Sequence, residues 1–191
     1  MKPKFIFLTI GTSGDLFPFL GMAKEMKRRG HRALVLSTEL YREVCEAEGV
    51  EFQGIQAKAE SEEILRDSSL WKPVTGLRTY LTRGVVQTAE RTFELLEAES
   101  KKGPCVLVCN GIMVSGLIAH EKLGMPTISV TLHPFSHISS IDPPAIMPGS
   151  KFFLRMIGPL GRRLMVGLVK MYMNASLRPL NSLRIRLGLK P

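Results

Sequence analysis

A carboxylate follows a glycine-containing turn near the start of the chain, in the stretch LTIGTSGDLFPFLGMA (residues 8–23). The turn Gly11–Gly14 comes directly after an apolar run, and Asp15 opens a predicted helix. A dinucleotide fingerprint needs G-x-G-x-x-G, and a P-loop needs a lysine and a hydroxyl residue after its last glycine, so the turn is neither. A carboxylate is stabilised at a helix N-terminus but repels a phosphate from it. Two interpretations of Asp15 stay open: a helix N-cap, or a base that faces a neutral alcohol.

Two histidines, His133 and His137, flank Phe135 in a segment that contains four prolines. An i, i+4 pair suits a metal ion on a helix, but Pro134 disfavours a helix there. We therefore expect no metal site, and these side chains either contact a ligand or pack within the loop. The only tryptophan, Trp71, lies in a second irregular stretch, where it either lines a pocket or packs in the core or at its rim.

Strand and helix patterns alternate with short links along the first 55 residues. The continuous apolar run at 5–10 is typical of a strand buried on both faces, and glycines end the two predicted helices. This alternation predicts right-handed βαβ units on a parallel sheet. The predicted elements are strands at 5–10, 32–38 and 50–55 and helices at 17–30 and 39–49.

The rest of the chain is less regular. A short helix and a loop are predicted within 57–76, and a long proline-rich loop at 133–150. Long loops at the carboxyl ends of parallel strands are where α/β proteins bind ligands. The remaining predicted elements are helices at 77–100 and 115–124, a fourth strand at 104–110 and a fifth strand within 125–135. The sequence therefore predicts an α/β fold with a Rossmann-like parallel sheet flanked by helices.

Positive charge is concentrated at the carboxyl end of the chain. The net charge is +9, and residues 151–191 contain nine Lys and Arg but no Asp or Glu. Such asymmetry indicates an anionic partner or contact with another domain. The methionines, aromatics and cations of 151–175 fit an interfacial helix on anionic lipid, and also a helix packed on the domain core and against another domain. No nucleic-acid recognition module is present in the sequence, so we expect no nucleic acid partner.

The composition is that of a soluble globular protein, with 45% hydrophobic and 23% charged residues. The three cysteines (Cys45, Cys105 and Cys109) lack other metal ligands nearby, so we predict reduced thiols in a cytosolic protein. The start of the chain has no cleavage site, and no stretch approaches roughly 18 continuous apolar residues, so neither a signal peptide nor a membrane span is predicted. The expected location is the cytoplasm, with peripheral contact at the inner face of the membrane if the basic tail binds lipid.

The stretch from Gly11 to Phe52 resembles the opening of GT-B glycosyltransferases of the family 28 and UDP-glycosyltransferase kind. These include sterol glucosyltransferases and enzymes that glycosylate macrolide and glycopeptide antibiotics. Their pattern runs roughly G-[ST]-x-G-D-x-x-P-[FYL], followed by a helix and R-G-H. The matching residues here are Gly11, Thr12, Gly14, Asp15, Pro18, Phe19, Arg29, Gly30 and His31. Later stretches (SGLIAHEKLGMPTISVTLHPF, DPPAIMP and PLNSLRIRLGLKP) also resemble family segments, so the resemblance covers almost the whole chain.

The resemblance implies that residues 1–191 form the amino-terminal, acceptor-binding domain of a GT-B enzyme. In this family a second Rossmann-like domain holds most of the nucleotide sugar, so we expect the 191-residue chain to be inactive by itself. The expected donor is a UDP- or TDP-hexose, and the expected acceptor is an apolar alcohol: a lipid, a sterol or a secondary metabolite. No metal and no cofactor besides the nucleotide-sugar co-substrate is expected.

The resemblance also implies roles for single residues. Asp15 matches the carboxylate that acts as general base on the acceptor hydroxyl in the antibiotic and sterol branches. The turn expected beside the donor consists of Gly11, Thr12, Ser13 and Gly14. The expected acceptor contacts are Phe17, Trp71, Asn110, His133, Phe135 and His137.

Two positions depart from the family pattern. Ser13 stands where the branch with aspartate often has arginine, which puts one donor or acceptor contact in doubt. Plant relatives use a histidine as base and an aspartate after the fourth strand to orient it. Here the base position is Asp15, and Asn110 follows the fourth predicted strand, so no such dyad is available.

Two rival functions remain. The chain could be a non-catalytic subunit that presents the acceptor or docks on a membrane and needs a separate donor-binding partner. A free-standing nucleotide-binding Rossmann protein is disfavoured, because the dinucleotide fingerprint is missing.

Overall fold

The computed structural model describes residues 2–72, 75–132, 139–141 and 156–191. The chain divides into two units, residues 1–130 with 179–191 and residues 131–178. The first unit contains a five-stranded, all-parallel sheet with the order β3-β2-β1-β4-β5. The strands are β1 (Lys4–Leu8), β2 (Arg32–Thr38), β3 (Glu51–Gln56), β4 (Cys105–Asn110) and β5 (Thr127–Val130).

Helices connect these strands. In the first unit they are α1 (Ser13–Arg28), α2 (Arg42–Ala47), α3 (Lys58–Arg66), α4 (Thr75–Thr79), α5 (Gln87–Lys102), α6 (Val114–Leu123) and α8 (Leu180–Arg186); α7 (Gly158–Leu177) belongs to the second unit. Two short 3₁₀ turns (Glu39–Tyr41 and Ser68–Trp71) and a π-helical segment (Tyr80–Val86) complete the connections. The prediction of an α/β Rossmann-like sheet flanked by helices is confirmed.

The central strand β1 forms the middle of the core. It pairs with β2 on one side, Lys4 opposite Arg32, and with β4 on the other, Lys4 opposite Cys105. Three consecutive residues of β1, Ile6, Phe7 and Leu8, have almost no solvent exposure. Both faces of the strand are therefore covered, as its continuous apolar sequence predicts.

The long helix predicted at 77–100 is interrupted. Helix α4 ends at Thr79, the π-helical segment Tyr80–Val86 follows, and α5 continues to Lys102. A glycine and two consecutive β-branched residues, Gly84, Val85 and Val86, lie within this segment, and both residue types lower helix propensity. π-helical turns are frequent at functional sites, and this one contributes the Tyr80 side chain and the Gly84 backbone to the pocket described below.

A buried ion pair lies at the amino end of β1. The Lys4 ammonium is 2.8 Å from a carboxylate oxygen of Glu99 on α5 and 2.9 Å from one of Glu51 on β3. Glu99 is only 2% exposed and also pairs with Lys102. Burial favours a raised pKa for Glu99, but hydrogen bonds from Lys102 and Lys4 outweigh it, so its pKa lies below the ordinary 4.5.

Part of the basic carboxyl-terminal tail is neutralised within the first unit. Leu180 and Leu183 of α8 are buried, and two arginines of the same helix form ion pairs. Arg184 reaches Glu121 of α6 and Arg186 reaches Glu90 of α5, each at 2.7 Å. These two cations therefore pair with the body of the first unit.

Candidate functional site

Asp15 lies in the first turn of α1, directly beyond the carboxyl end of β1. The N-cap of this helix is Thr12, so the interpretation of Asp15 as the N-cap is wrong; Asp15 is the third helical residue. The Thr12 amide donates to Asp15 Oδ2 at 2.9 Å, and the Thr12 hydroxyl donates to the same oxygen at 3.2 Å. This is the acidic half of a capping box. No residue in the described part of the chain donates a hydrogen bond to the other oxygen, Oδ1.

The residue before the cap must be glycine. Gly11 has a φ of +129°, a conformation that L side chains rarely adopt, and a Cβ at this position would overlap the Asp15 carboxylate. Two tyrosines hold the backbone here. Tyr80 donates to the carbonyl of Ile10 at 2.8 Å, and Tyr41 donates to the carbonyl of Gly11 at 3.1 Å. The turn that positions Asp15 is thus anchored from two other segments of the chain.

Both tyrosines remain protonated donors. Burial, followed by the negative charge of Asp15, raises the pKa of Tyr80 above its ordinary value of 10.0. Burial also raises the pKa of Tyr41; a hydrogen bond with Ser13 opposes this shift and the charge of Asp15 adds to it. Each hydroxyl therefore keeps its proton at neutral pH and continues to donate to the turn.

A pocket of about 250 Å³ opens beside Asp15 at the carboxyl ends of the first three strands. Its apolar lining consists of Ile10, Leu40, Ile64, Leu65, Leu70 and Trp71. Its polar lining consists of Thr12, Asp15, Thr38, Gln56, Ser61 and Tyr80. The last two lining residues, Gly11 and Gly84, present backbone to the space. This is the composition of a small-molecule site, a mostly apolar cavity with a few polar groups.

The side of the pocket formed by β2 and β3 carries two buried polar side chains. Thr38 and Gln56 are register partners on these neighbouring strands. The Gln56 carbonyl oxygen accepts from the Ser61 hydroxyl at 3.0 Å, and its amide nitrogen donates to the Arg83 carbonyl at 3.0 Å. The Thr38 hydroxyl is buried and has no hydrogen-bond partner within the described ranges.

Trp71 forms the rim of the pocket. It ends the 3₁₀ turn Ser68–Trp71, and its indole nitrogen donates to the Leu65 carbonyl at 3.2 Å. The side chain is 67% exposed although it lines the pocket. An exposed aromatic face at the mouth of an apolar pocket can cover a bound apolar molecule. Trp71 therefore lines the pocket at its exposed edge and is not a core residue; its contact with an acceptor stays a prediction.

The structure brings four of the residues expected at the site together around one pocket: Gly11, Thr12, Asp15 and Trp71. Ser13 and Gly14 are exposed in the first turn of α1, and neither lines the pocket. Phe17 is also exposed on α1, away from the lining.

The other expected acceptor contacts are not part of this pocket as described. Asn110 is 9% exposed at the end of β4, where its side-chain oxygen accepts from the Ile112 amide at 3.3 Å. This contact stabilises the turn that precedes α6. His133, Phe135 and His137 lie outside the described residues. Their roles, like that of Phe17, stay predictions.

Thr38, Gln56, Tyr41 and Tyr80 belong to the site but were not identified from the sequence. Thr38 and Gln56 are the last residues of their strands, a position from which the sheet directs side chains toward a ligand crevice. This position at the end of a predicted strand is visible in the sequence. Tyr80 lies within what reads as a continuous helix, so no local pattern marks it.

The described part of the chain shows no sign of a metal centre or a membrane span. Across these residues, no group of three His, Cys, Asp or Glu side chains is placed to hold a metal ion. None of the helices observed in those ranges is both long and apolar enough to cross a membrane. The three cysteines are free, and burial raises the pKa of Cys45 and of Cys109 to about 11.

Comparison with known sequences gives a family. The sequence profile of the glycosyltransferase family 28 N-terminal domain matches residues 5–136. The chain is 26% identical over 148 residues to a sterol 3-beta-glucosyltransferase of Neurospora crassa. That alignment covers 75% of this chain but 9% of the relative. Over a shorter stretch of 49 residues, the chain is 43% identical to a sterol 3-beta-glucosyltransferase of Arabidopsis thaliana. This second alignment covers 26% of this chain and 8% of that relative.

Solved structures of glycosyltransferases share the fold. SsfS6 from Streptomyces sp. SF2575 superimposes with a TM-score of 0.60 at 14% identity, over 99% of this chain and 47% of that protein. The glycosyltransferase of kitacinnamycin gives a TM-score of 0.61 at 14% identity, over 98% of this chain and 41% of that protein. The chain therefore spans less than half the length of these structures and about a tenth of the sterol enzyme from Neurospora.

Proposed function

We propose that this chain, which belongs to glycosyltransferase family 28, is the acceptor-binding half of an enzyme that transfers a hexose from a nucleotide sugar to an apolar alcohol. The observation that carries this proposal is the Asp15 carboxylate at an apolar pocket, with one oxygen held by Thr12 and the other available. The sterol acceptor of the curated relatives supports an apolar alcohol. The SsfS6 structure solved with thymidine diphosphate supports a nucleotide-sugar donor, a UDP- or TDP-hexose.

Asp15 is the general base of the proposed reaction. As the acceptor oxygen attacks the anomeric carbon, its proton passes to Asp15 Oδ1, the bond from that carbon to the diphosphate oxygen breaks, and the nucleoside diphosphate leaves with the electron pair. Base catalysis of this kind contributes about 10²–10⁴-fold in rate. Thr12 fixes the other carboxylate oxygen, so the base is pre-positioned. The apolar walls and Trp71 hold the hydrocarbon part of the acceptor.

The donor belongs mainly to a second domain in this proposal. The fold covers only 47% of SsfS6, a share that fits one of the two domains of a GT-B enzyme. The glycine turn at Gly11–Gly14 contributes backbone amides near the donor. We further propose that transfer needs no metal and no cofactor besides the nucleotide sugar, so that added EDTA leaves the rate unchanged.

The test separates binding from transfer. Trp71 is the only tryptophan and lines the pocket, so its fluorescence reports acceptor binding to the 191-residue chain directly. Cholesterol and simpler apolar alcohols should change the emission, whereas UDP-glucose or TDP-glucose should bind weakly. Sugar transfer should appear only when the chain is joined to, or mixed with, its donor-binding domain. Robust turnover by the purified chain alone would refute the half-enzyme assignment.

We also propose that α7 docks on an anionic lipid surface at the cytoplasmic face of a membrane, from which an apolar acceptor is supplied. Leu160, Leu164, Leu168 and Met171 recur at helical spacing and are 51–80% exposed. Two exposed cations, Arg163 and Lys170, flank this stripe on the adjoining face of the helix. An apolar stripe beside cations is the pattern of an interfacial helix.

Vesicle sedimentation tests this docking. The chain should bind phosphatidylserine-containing vesicles at low salt, release as salt screens the charges, and bind pure phosphatidylcholine poorly. The flanking cations contribute about 1 kcal/mol each near such a surface, so the double variant Arg163→Gln/Lys170→Gln should bind roughly 30-fold more weakly. Leu164→Ser should also weaken binding. Leu117→Ser, at an exposed leucine of α6, is the matched control, and an equal loss there would contradict the assignment to α7.

A further inference from the structure

Three buried polar side chains line the pocket in addition to Asp15: Thr38, Gln56 and Ser61. Thr38 is 2% exposed and Gln56 is 7% exposed, and both are lining residues. They are register partners at the carboxyl ends of β2 and β3. The pocket residues around them are largely aliphatic, Leu40, Ile64 and Leu65 among them. The pocket therefore has a second polar region, at Thr38 and Gln56, besides Asp15.

The two side chains differ in how they are satisfied. Gln56 is engaged on both sides, by the Ser61 hydroxyl and by the Arg83 carbonyl. The Thr38 hydroxyl has no partner among the residues that the structure describes. A buried polar group without a partner costs free energy, and valine, which has the same shape, would avoid that cost. Among the buried polar side chains without a partner in the described residues, Thr38 is the one that also lines the pocket, so a bound molecule can supply the missing partner.

Thr38 lies within reach of a molecule whose hydroxyl is at Asp15. Leu8 is opposite Leu36 in the sheet, and the Thr9 amide still donates to the Leu36 carbonyl. Thr38, two residues after Leu36 on β2, and Ile10, two residues after the end of β1, both line the pocket. The turn that leads to Asp15 begins at Ile10. One small molecule can thus contact both residues in a pocket of about 250 Å³.

We propose that the acceptor carries a second oxygen function, apart from the hydroxyl that reacts at Asp15, and that Thr38 forms a hydrogen bond with it. This inference rests on the function proposed above and narrows its substrate class to doubly oxygenated apolar molecules. A ring system with one hydroxyl satisfies Asp15 and leaves Thr38 unpaired. A change of χ1 rotamer moves the threonine hydroxyl to another of its staggered positions, so in the proposed complex it reaches the pocket without backbone movement.

The experiment compares matched ligands on matched variants. Binding is measured by the fluorescence emission of Trp71. The ligands are androstanol, which has one hydroxyl, and three androstanediols with the second hydroxyl on ring B, C or D. The 191-residue chain is titrated in its native form and as Thr38→Val, Thr38→Ser and Ser37→Ala. Ser37 is the control, because its hydroxyl is also buried and unpartnered in the described structure but does not line the pocket.

We expect at least one diol to bind the native chain about tenfold more tightly than androstanol, the usual gain from pairing a buried hydroxyl. The preference should disappear in Thr38→Val and persist in Thr38→Ser and Ser37→Ala. Androstanol itself should bind Thr38→Val at least as tightly as the native chain. The melting temperature of Thr38→Val should not fall, since no hydrogen bond of the protein is lost.

Two outcomes overturn the inference. Either every diol binds the native chain no more tightly than androstanol, or the preference for a diol survives in Thr38→Val. In both cases androstanol still binds, so the acceptor pocket and the proposed function stand. If no steroid changes the Trp71 emission in any form of the chain, the pocket is not the acceptor site and both proposals fail.

Discussion

The substitution Asp15→Asn separates the capping role of this residue from the proposed catalytic role. Asparagine has nearly the same shape, and its side-chain oxygen can replace Oδ2 as acceptor for the Thr12 amide at 2.9 Å and the Thr12 hydroxyl at 3.2 Å. What is lost is a negative charge near the helix N-terminus, which is worth about 0.3–1 kcal/mol. For a chain of this size, that lowers the melting temperature by no more than about 2–4 °C.

The effect on catalysis should be much larger. Asparagine cannot take the proton of the acceptor hydroxyl, so kcat should fall by roughly 10²-fold or more, which corresponds to about 2.7 kcal/mol in the barrier. The KM for the nucleotide sugar should change little, because the donor is held mainly by the other domain in the proposed enzyme. The assay is a steady-state measurement on the donor-competent protein, the chain together with its donor-binding domain, alongside thermal unfolding.

A second variant at the same position gives the control. Glutamate is the common acidic residue at this position of a capping box, so Asp15→Glu should keep the cap and the melting temperature. It moves the carboxylate by one methylene, however, and a misplacement of about 1 Å can cost 10²-fold in rate. An Asp15→Asn variant with near-normal turnover would refute the general-base assignment. A loss of rate that merely follows a loss of folded protein would refute it as well.

Three further substitutions test the support around the site and the opposite end of the sheet. Gly11→Ala should lower stability by about 1–3 kcal/mol, through backbone strain at φ +129° and overlap with the Asp15 carboxylate, as measured by urea unfolding, and should also lower kcat. Tyr80→Phe should cost about 1–3 kcal/mol, because the Ile10 carbonyl is left without its buried donor. Lys4→Met should cost about 3 kcal/mol, the low end for a broken buried pair, because Lys102 still neutralises Glu99. Because the pKa of Glu99 is lowered in the folded chain, its ionised form stabilises the fold above about pH 4.5, and this stabilisation is lost as the pH falls. Without Lys4 the stabilisation is smaller, so the free energy of unfolding of Lys4→Met should fall less steeply with decreasing pH. An unchanged pH profile would contradict this.

The sequence predicted those parts of the fold and site that depend on local patterns. Apolar runs alternating with helical repeats predicted the parallel sheet, and the turn at Gly11–Gly14 predicted a helix start beside a strand end. The actual cap was also visible, because Thr12 and Asp15 have the T-x-x-D spacing of a capping box. The interpretation of Asp15 as N-cap overlooked that spacing and placed the cap three residues too late.

The rest of the site depends on contacts between distant segments. Thr38, Gln56 and Tyr80 meet at one pocket only because β1, β2 and β3 are neighbours in the sheet and the π-helical segment packs against the turn after β1. No pattern within any one segment carries that information. The tail shows the same limit: Arg184 and Arg186 read as free positive charge in the sequence, but they pair with Glu121 and Glu90 in the structure.

The geometry at Asp15 shows that capping and base catalysis do not exclude each other. A carboxylate has two oxygens, and the cap uses one of them: Thr12 donates both of its hydrogen bonds to Oδ2. Those bonds restrain the side chain at Oδ2 and leave Oδ1 without a donor among the described residues. Gly11 is required because the carboxylate occupies the space where its side chain would be, and Tyr41 and Tyr80 hold the same turn from outside. The cap therefore supplies what a general base needs, a fixed position, and this explains why an aspartate can stand where a phosphate-binding loop would exclude it.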